Sequence, residues 1–206
     1  MSEEKVDLKK PLKELYTASS KNCSFIEVPE YLYLMIDGKG DPNDECYHES
    51  IETLFSAAYT LKFMSKKLGK DFVVMPLEGL WWADRMQDFI ENKRTNWIWT
   101  QIIMQPKWIT CGMFEEAIRA LSEKNGPKRY RELRLESWKE GTCAQILHLG
   151  PYSEEPLTID RLHEAIREKG NFDGQTHKHH EFYLSDPRKT APEKLKTIIR
   201  QPYVPI

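Results

Sequence analysis

One order of elements occurs twice along the chain: a strand, a glycine-containing turn, a long amphipathic helix and two more strands. Gly38–Val73 in the first copy parallels Gly150–Phe182 in the second, with weak residue identity between them. This repetition restricts the fold more than any other feature. A helix with one apolar stripe has to lay it on another layer, and two such units in tandem do so by pairing their sheets about a pseudo-two-fold axis. The expected class is therefore α+β: two tandem strand–helix–strand–strand modules forming an antiparallel sheet with helices on one side. A leader with a short helix fills residues 1–23, the first module spans 24–125 and the second 126–206, all within a single domain. The cleft between the halves of such a sheet is a usual place for a small-ligand pocket.

The local patterns supply the elements. Ser24–Asp37 is rich in aromatic and β-branched residues and reads as a strand, with Pro29 expected to split it or put it on an edge. Over 45–68, Ile51, Leu54, Phe55, Ala58, Leu61 and Leu68 share one helical face opposite Glu52, Lys62, Lys66 and Lys67, and Gly69 supplies a stop. Strands are predicted at 72–77 and 97–104. A helix capped by Thr110 runs to about Lys124 and is ended by Asn125-Gly-Pro127. In the second half, strands at 133–138 and 143–149 are joined by a tight turn near Glu140-Gly141. A helix covers 157–169, a strand 179–184, and residues 192–199 predict a last helical turn or two.

Charge and motif content exclude several functions. Lys and Arg number 30 against 32 Asp and Glu, so the basic excess of a nucleic-acid binder is missing from the total. Cys23, Cys46, Cys111 and Cys143 form no CxxC pair, which argues against a zinc or redox motif and against a disulfide framework. The N-terminus lacks the apolar core of a signal peptide, and no apolar run reaches the length of a membrane span. A cytoplasmic protein with reduced thiols, monomeric or homodimeric, is expected, acting on neither nucleic acid nor membrane. There is no phosphate-binding glycine loop and no serine-nucleophile elbow, so no cofactor is implied. The cluster His177-Lys-His-His180 has no Cys or acid at ligand spacing, so no metal site is assigned to it.

Aromatic residues carry the positive signal. Six Trp, nine Tyr and eight Phe sit in a chain of polar average, and Trp and Tyr suit ligand cages as well as cores. Glu181 lies in the apolar run His-Glu-Phe-Tyr-Leu, where alternation puts it on one face with Tyr183, opposite Phe182 and Leu184. If buried there, its carboxyl would be pushed up by desolvation and would serve as a general base or as a counter-charge to a cationic ring. Tyr152, in a Gly-Pro-Tyr turn at a strand end, is placed to donate to a ligand carbonyl. Trp81 and Trp82 cannot both point to one side of an extended chain, so at most one of them faces the pocket. Trp82 and Trp108 are the leading cage candidates, followed by Trp99. Met35 and Met104 are candidate walls, and His148 a candidate edge residue.

Four segments, Leu147-His-Leu-Gly-Pro-Tyr-Ser153, His180-Glu-Phe-Tyr-Leu-Ser-Asp-Pro187, Val74-Met-Pro-Leu-Glu-Gly-Leu-Trp-Trp82 and Met104-Gln-Pro-Lys-Trp-Ile-Thr110, occur in an order that resembles the GyrI-like small-molecule-binding family. The resemblance covers most of 24–202. It implies a pocket at the junction of two strand–helix–strand modules, with Glu181 as the acid that answers cationic aromatic drugs in the related effector domains of multidrug-sensing regulators. The residues before Phe25 are too few for a DNA-binding helix-turn-helix, so the chain looks like the stand-alone branch. A subset of that branch hydrolyses the strained cyclopropane of DNA-alkylating natural products. Three functions stay open at this point: such a hydrolase, with Glu181 and Tyr152 as its catalytic pair, a non-catalytic sequestering protein, and a gyrase-inhibitor-like interaction module.

Overall fold

The computed structural model describes residues 5–85, 87–125, 129–174 and 176–206. In chain order the elements are β1 (Ser24–Lys39), α1 (Glu45–Lys67), β2 (Glu78–Trp82), α2 (Gln87–Ile90), β3 (Ile98–Gln105), α3 (Cys111–Asn125), β4 (Arg134–Leu149), α4 (Glu155–Arg167), β5 (Gly170–Asn171), β6 (His179–Tyr183), β7 (Lys196–Pro202) and β8 (Val204–Pro205). Six strands form an antiparallel sheet in the order β1-β3-β2-β6-β7-β4, with β4 returning to β1 so that the sheet closes; β5 and β8 make a separate two-stranded ribbon. The mixed α/β composition and antiparallel pairing agree with the sequence. Closure was not foreseen. It follows from the length of β1 and β4, 16 residues each: β1 pairs with β4 over Ser24–Met35 and with β3 over Leu32–Lys39, so one strand turns the corner of the sheet.

Helices cover one face of this sheet. Leu162 and Ile166 of α4 pack on Ala144, Ile146 and Ile199, and Leu54, Ala57 and Ala58 of α1 join the main core with Leu34 and Ile36. Among the described residues no helix is long and apolar enough to cross a membrane.

Three predicted elements are corrected. Residues 72–77 are not a strand of the sheet. Only Phe72 makes an isolated bridge, to Val6, and the ladder begins at Glu78, beyond Pro76, which has no N–H to give it. The predicted hairpin at Glu140-Gly141 is one continuous strand, β4. The predicted helical turns at 192–199 shrink to Pro192–Lys194, and β7 takes Lys196–Pro202, where Thr197, Ile198 and Ile199 are all buried and β-branched. Pro29 does not split β1; it sits where β1 has β4 on one side and no pairing with β3, the edge position open to a proline. The predicted helix stop at Gly126-Pro127 lies outside the described residues.

Gly141 explains how β4 continues. Its φ of +84° is a conformation glycine adopts without steric cost, and the pairing with β1 keeps one register on both sides of it, Glu30↔Lys139 and Val28↔Gly141. Glu140 and Gln145 are five residues apart and would face opposite ways on a regular strand. With the kink between them, both reach Arg200.

That convergence builds an ionic core inside the closed sheet. Arg200 Nη1 donates to Glu140 Oε2 at 2.9 Å, Nη2 donates to Leu15 O at 2.7 Å, and Nε and Nη2 both donate to Gln145 Oε1. His180 links Glu140, at 2.9 Å through Nδ1, to Glu78, at 3.2 Å through Nε2. Tyr16 Oη closes the chain by donating to Glu78 Oε1 at 2.8 Å. The four ionisable side chains at its centre are essentially inaccessible to solvent. Burial alone would push the Glu140 carboxyl up, but His180 and Arg200 outweigh it and hold the group down at about 2. Burial alone would lower His180; Glu140 and Glu78 reverse this and hold the imidazole above its usual range.

The Glu140 contribution to stability is present above the unfolded carboxylate range and is lost as the pH falls through about 2; the His180 contribution is complete below the unfolded imidazole value and is lost as the pH rises past its folded one. Truncating one member strands its partners in a dry interior. Glu140→Ala is therefore expected to cost about 3–5 kcal/mol in urea unfolding, the range for breaking a buried pair from one side. A loss under about 1 kcal/mol, the level of an exposed pair, would contradict the network as described.

Candidate functional site

Strand alternation sends Glu78 and His180 inward and leaves Gly79 and Glu181 on the opposite, helix-covered face, where they pair across the seam between β2 and β6. The predicted face sharing of Glu181 and Tyr183 is found. Glu181 Oε2 accepts from Tyr183 Oη at 2.8 Å, and Tyr183 Oη accepts from Trp81 Nε1 at 3.0 Å. Glu181 Oε1 lies 3.1 Å from His179 Nε2. The Glu181 side chain is 13% exposed. Gly79 makes this possible: a Cβ there would stand 2.8 Å from Trp81 Nε1 and 2.9 Å from Tyr183 Oη.

Aromatic rings surround the acid. The Tyr152 and Tyr183 rings meet edge to face at 6.0 Å. Tyr47, from the first turn of α1, lies 5.8 Å from Trp81 and 5.1 Å from Trp99. Trp99 is fully buried in that group, and Trp97 adds a further edge contact to Trp81. Of the residues singled out from the sequence, the structure brings together Glu181, Tyr183, Tyr152 and Trp99. It does not bring Trp82 there, because Trp81 takes the outer face and alternation turns Trp82 the other way, under the Lys178 ammonium 3.6 Å from its ring. Trp108 packs on Phe72 and donates to Ser65 at 3.0 Å, away from the seam. Met35 and Met104 belong to the main core, and Met104 Sδ sits 3.6 Å from Tyr16 Oη. His148 faces α4, bonded to Thr158 Oγ1 at 2.9 Å and to Pro151 O at 3.1 Å. The histidines of the 177–180 run are separated by alternation, His179 outward and His180 inward.

Sequence reasoning missed three members, Tyr47, Gln101 and Glu155, and preferred Trp82 to its neighbour Trp81. Gln101, on β3, pairs with Gly79 of β2 and is fully buried; its side-chain amide lies near the Tyr47 hydroxyl without a well-aligned hydrogen bond. Glu155 opens α4 immediately after the Gly-Pro-Tyr turn, is 5% exposed, and has Oε1 unpartnered. The signal for Glu155 was its place in that turn, three residues after Tyr152. Gln101 gave none beyond standing in an otherwise apolar strand.

Burial, and then the negative charge of Glu181, pushes the Glu155 carboxyl up to about 9. The same two causes push Tyr152 up to about 12 and raise Tyr183 and Tyr47 further. At neutral pH Glu155 and the three tyrosines are thus neutral O–H groups. Two hollows of about 310 and 400 Å³ open elsewhere on the surface, and neither is lined by Glu181.

The Glu155 proton has a consequence for stability. Between the unfolded value near 4.5 and about 9, the native protein holds a proton that the unfolded chain releases, so stability falls as the pH rises across that window. Glu155→Gln removes this dependence. Its urea midpoint is expected to exceed that of the wild type at about pH 8, with a flatter profile from about pH 5 to 9. Parallel profiles would show that Glu155 ionises as an ordinary carboxyl.

Known proteins can now be compared with this geometry. The family model for the GyrI-like small molecule binding domain matches residues 21–204. A conserved protein of Listeria innocua has a solved structure with a TM-score of 0.89 and 38% identity, covering 97% of this chain and 100% of its own. A second Listeria innocua structure, described as a hydrolase, gives a TM-score of 0.85 and 39% identity over 98% of this chain and 100% of its own. The C-terminal domain of EcmrR shares the fold at 13% identity, with a TM-score of 0.53 over 90% of this chain and 98% of its own. No curated protein matches the chain. A match over nearly the whole chain, with close structural likeness along its full length, places it in one family: the chain belongs to the GyrI-like small molecule binding domains.

Proposed function

We propose that the chain binds flat, hydrophobic aromatic molecules, organic cations above all, at the Glu181 cluster on the β2–β6 seam. One observation carries this reading: a carboxylate only 13% exposed is ringed by Tyr47, Trp81, Tyr152 and Tyr183, beside buried polar atoms that have no partner. Buried polar groups are ordinarily satisfied. Here Gln101 and Glu155 keep hydrogen-bonding capacity for a guest, while the rings supply stacking surface and the acid a counter-charge. Tyr152 is 40% exposed and stands at the edge of Tyr183, so the cluster meets solvent on the Tyr152 side. The strand orders β1-β3-β2 and β4-β7-β6 support reading 24–125 and 126–206 as two modules about a pseudo-two-fold axis through this seam, which puts the site at their junction.

A second reading adds chemistry. It is favoured by the presence of a protonated acid and tyrosyl O–H groups beside a carboxylate, and by the likeness to a Listeria protein described as a hydrolase. On a cyclopropane fused to a dienone, Glu181 would take a proton from water as the water oxygen bonds to the ring CH2. The cyclopropane C–C bond breaks, and its electrons pass to the dienone oxygen, which becomes a phenol on gaining a proton. The Tyr183 proton is committed to Glu181, so Tyr152 is the hydroxyl that answers the developing oxyanion. Strain release and aromatisation drive the step, and the protein contributes mainly positioning.

Quenching of tryptophan fluorescence by rhodamine 6G, a flat aromatic cation, tests the binding. Glu181→Gln is expected to weaken it about 30-fold, equivalent to ~2 kcal/mol. Equal affinity in the two proteins would remove the counter-charge role. Incubation with a cyclopropane-bearing alkylator tests the chemistry: Glu181→Gln is expected to lower the rate by about 10²–10⁴, the range for a general base. Binding without product would identify a sequestering protein, and equal turnover would take the base role from Glu181.

A further inference from the structure

The site holds two carboxyl groups, and the binding reading above uses only one. Glu155 reaches it from the start of α4 and Glu181 from β6. The groups that face Glu155 are Glu181 and Tyr183 on β6, Tyr152 in the turn before α4, and Thr197 on β7, whose hydroxyl hydrogen-bonds it. None of these is a cation. The imidazole of His179 is engaged by the other oxygen of Glu181, 3.1 Å away. Tyr47 faces the pair from α1 with a neutral hydroxyl.

Glu155 is buried beside a second acid with little opposing charge, so a negative charge on it is costly, first through desolvation and then through Glu181. Glu155 Oε1 is buried with no partner, and the Gln101 amide, near the Tyr47 hydroxyl, makes no well-aligned hydrogen bond; its Nε2 lies within 3.3 Å of the place a Gly79 Cβ would occupy, next to Tyr183 Oη. The cluster therefore lacks something that is both polar and positive.

Resting on the binding reading, we propose that the buried Glu155 carboxyl keeps its proton in the absence of ligand, and that an organic cation entering the aromatic cluster displaces it, so that binding is an exchange of cation for proton. The step balances: the Glu155 carboxylic acid and a monocation give a Glu155 carboxylate–cation pair and one proton released to solvent. The elevated Glu155 carboxyl agrees with this order of events, since the group is protonated at neutral pH and a neighbouring positive charge favours its ionised form. The exchange also defines the ligand class. A monocation is taken at the cost of one proton, a dication engages both carboxylates, and a neutral aromatic of the same size leaves the proton in place.

Calorimetry of the full chain with rhodamine 6G, in two buffers of different ionisation enthalpy at about pH 7.5, counts the protons. About one proton released per dye is expected, with affinity rising up to about tenfold per pH unit below pH 9. Glu155→Gln is expected to bind the dye with no proton release and a flat pH profile. An uncharged planar aromatic should release none from the wild type. Dye binding without proton release by the wild type overturns this inference and leaves the binding reading intact. No dye binding at all overturns both. If Glu155→Gln does not fold, the two-buffer count on the wild type still decides.

Discussion

The Glu140–Arg200–His180–Glu78 chain inside the closed sheet is the interaction on which the rest is arranged. Its members come from β4, β7, β6 and β2, and Tyr16 with the Leu15 carbonyl adds the N-terminal segment. A buried ion pair contributes little net stability against a well-packed apolar core, because desolvation offsets most of the attraction. What it does here is fix register. A one-residue slip of β6 would exchange His180 for Glu181, placing a third carboxylate beside Glu78 and Glu140 with only Arg200 to oppose them, and would turn His180 outward. The interior thus penalises the slip that would destroy the outer site.

The two faces of one dipeptide do different work on each side of the seam. In Glu78-Gly79 and His180-Glu181, the inward residue belongs to the ionic chain and the outward residue to the candidate site. Gly79 is the outward residue of β2 because a side chain there would collide with the Tyr183 hydroxyl and the Trp81 indole nitrogen that position Glu181. Rigidity below and space above come from neighbouring residues on the same short strands.

Much of this was legible in the sequence, for local reasons. Alternation in His179–Tyr183 placed Glu181 with Tyr183, and helical spacing over 45–68 gave α1 nearly to the residue. The failures were non-local. Adjacency shows that at most one of Trp81 and Trp82 faces the site, but which one depends on the pairing of β2 with β6. Trp108 stands in a loop before a helix, a pattern shared by ligand contacts and ordinary packing, and the fold uses it to cover Phe72. The strand β7 was hidden behind Pro192 and Glu193, a helix-start pattern that lasts only as far as Lys194 before buried β-branched residues take over. Glu155 stood outside the helix expected from residue 157, and its burial depends on β6 and β7, which lie later in the chain.

Charge separates the two clusters most clearly. Inside, Glu78 and Glu140 face one guanidinium and one imidazole held above its usual range, so each acid has a basic partner within 3.2 Å, the Glu78–His180 pair as an ion-pair contact rather than an aligned hydrogen bond. Outside, Glu155 and Glu181 face the His179 imidazole and a ring of hydroxyls pushed toward their neutral forms. A low dielectric punishes imbalance, and the outer cluster relieves it by keeping a proton on Glu155. The inner cluster is complete without a guest. The outer one keeps a proton on Glu155, and the proposed guest, a cation with an aromatic face, is the class of molecule that would meet both of its needs, charge and stacking, at once.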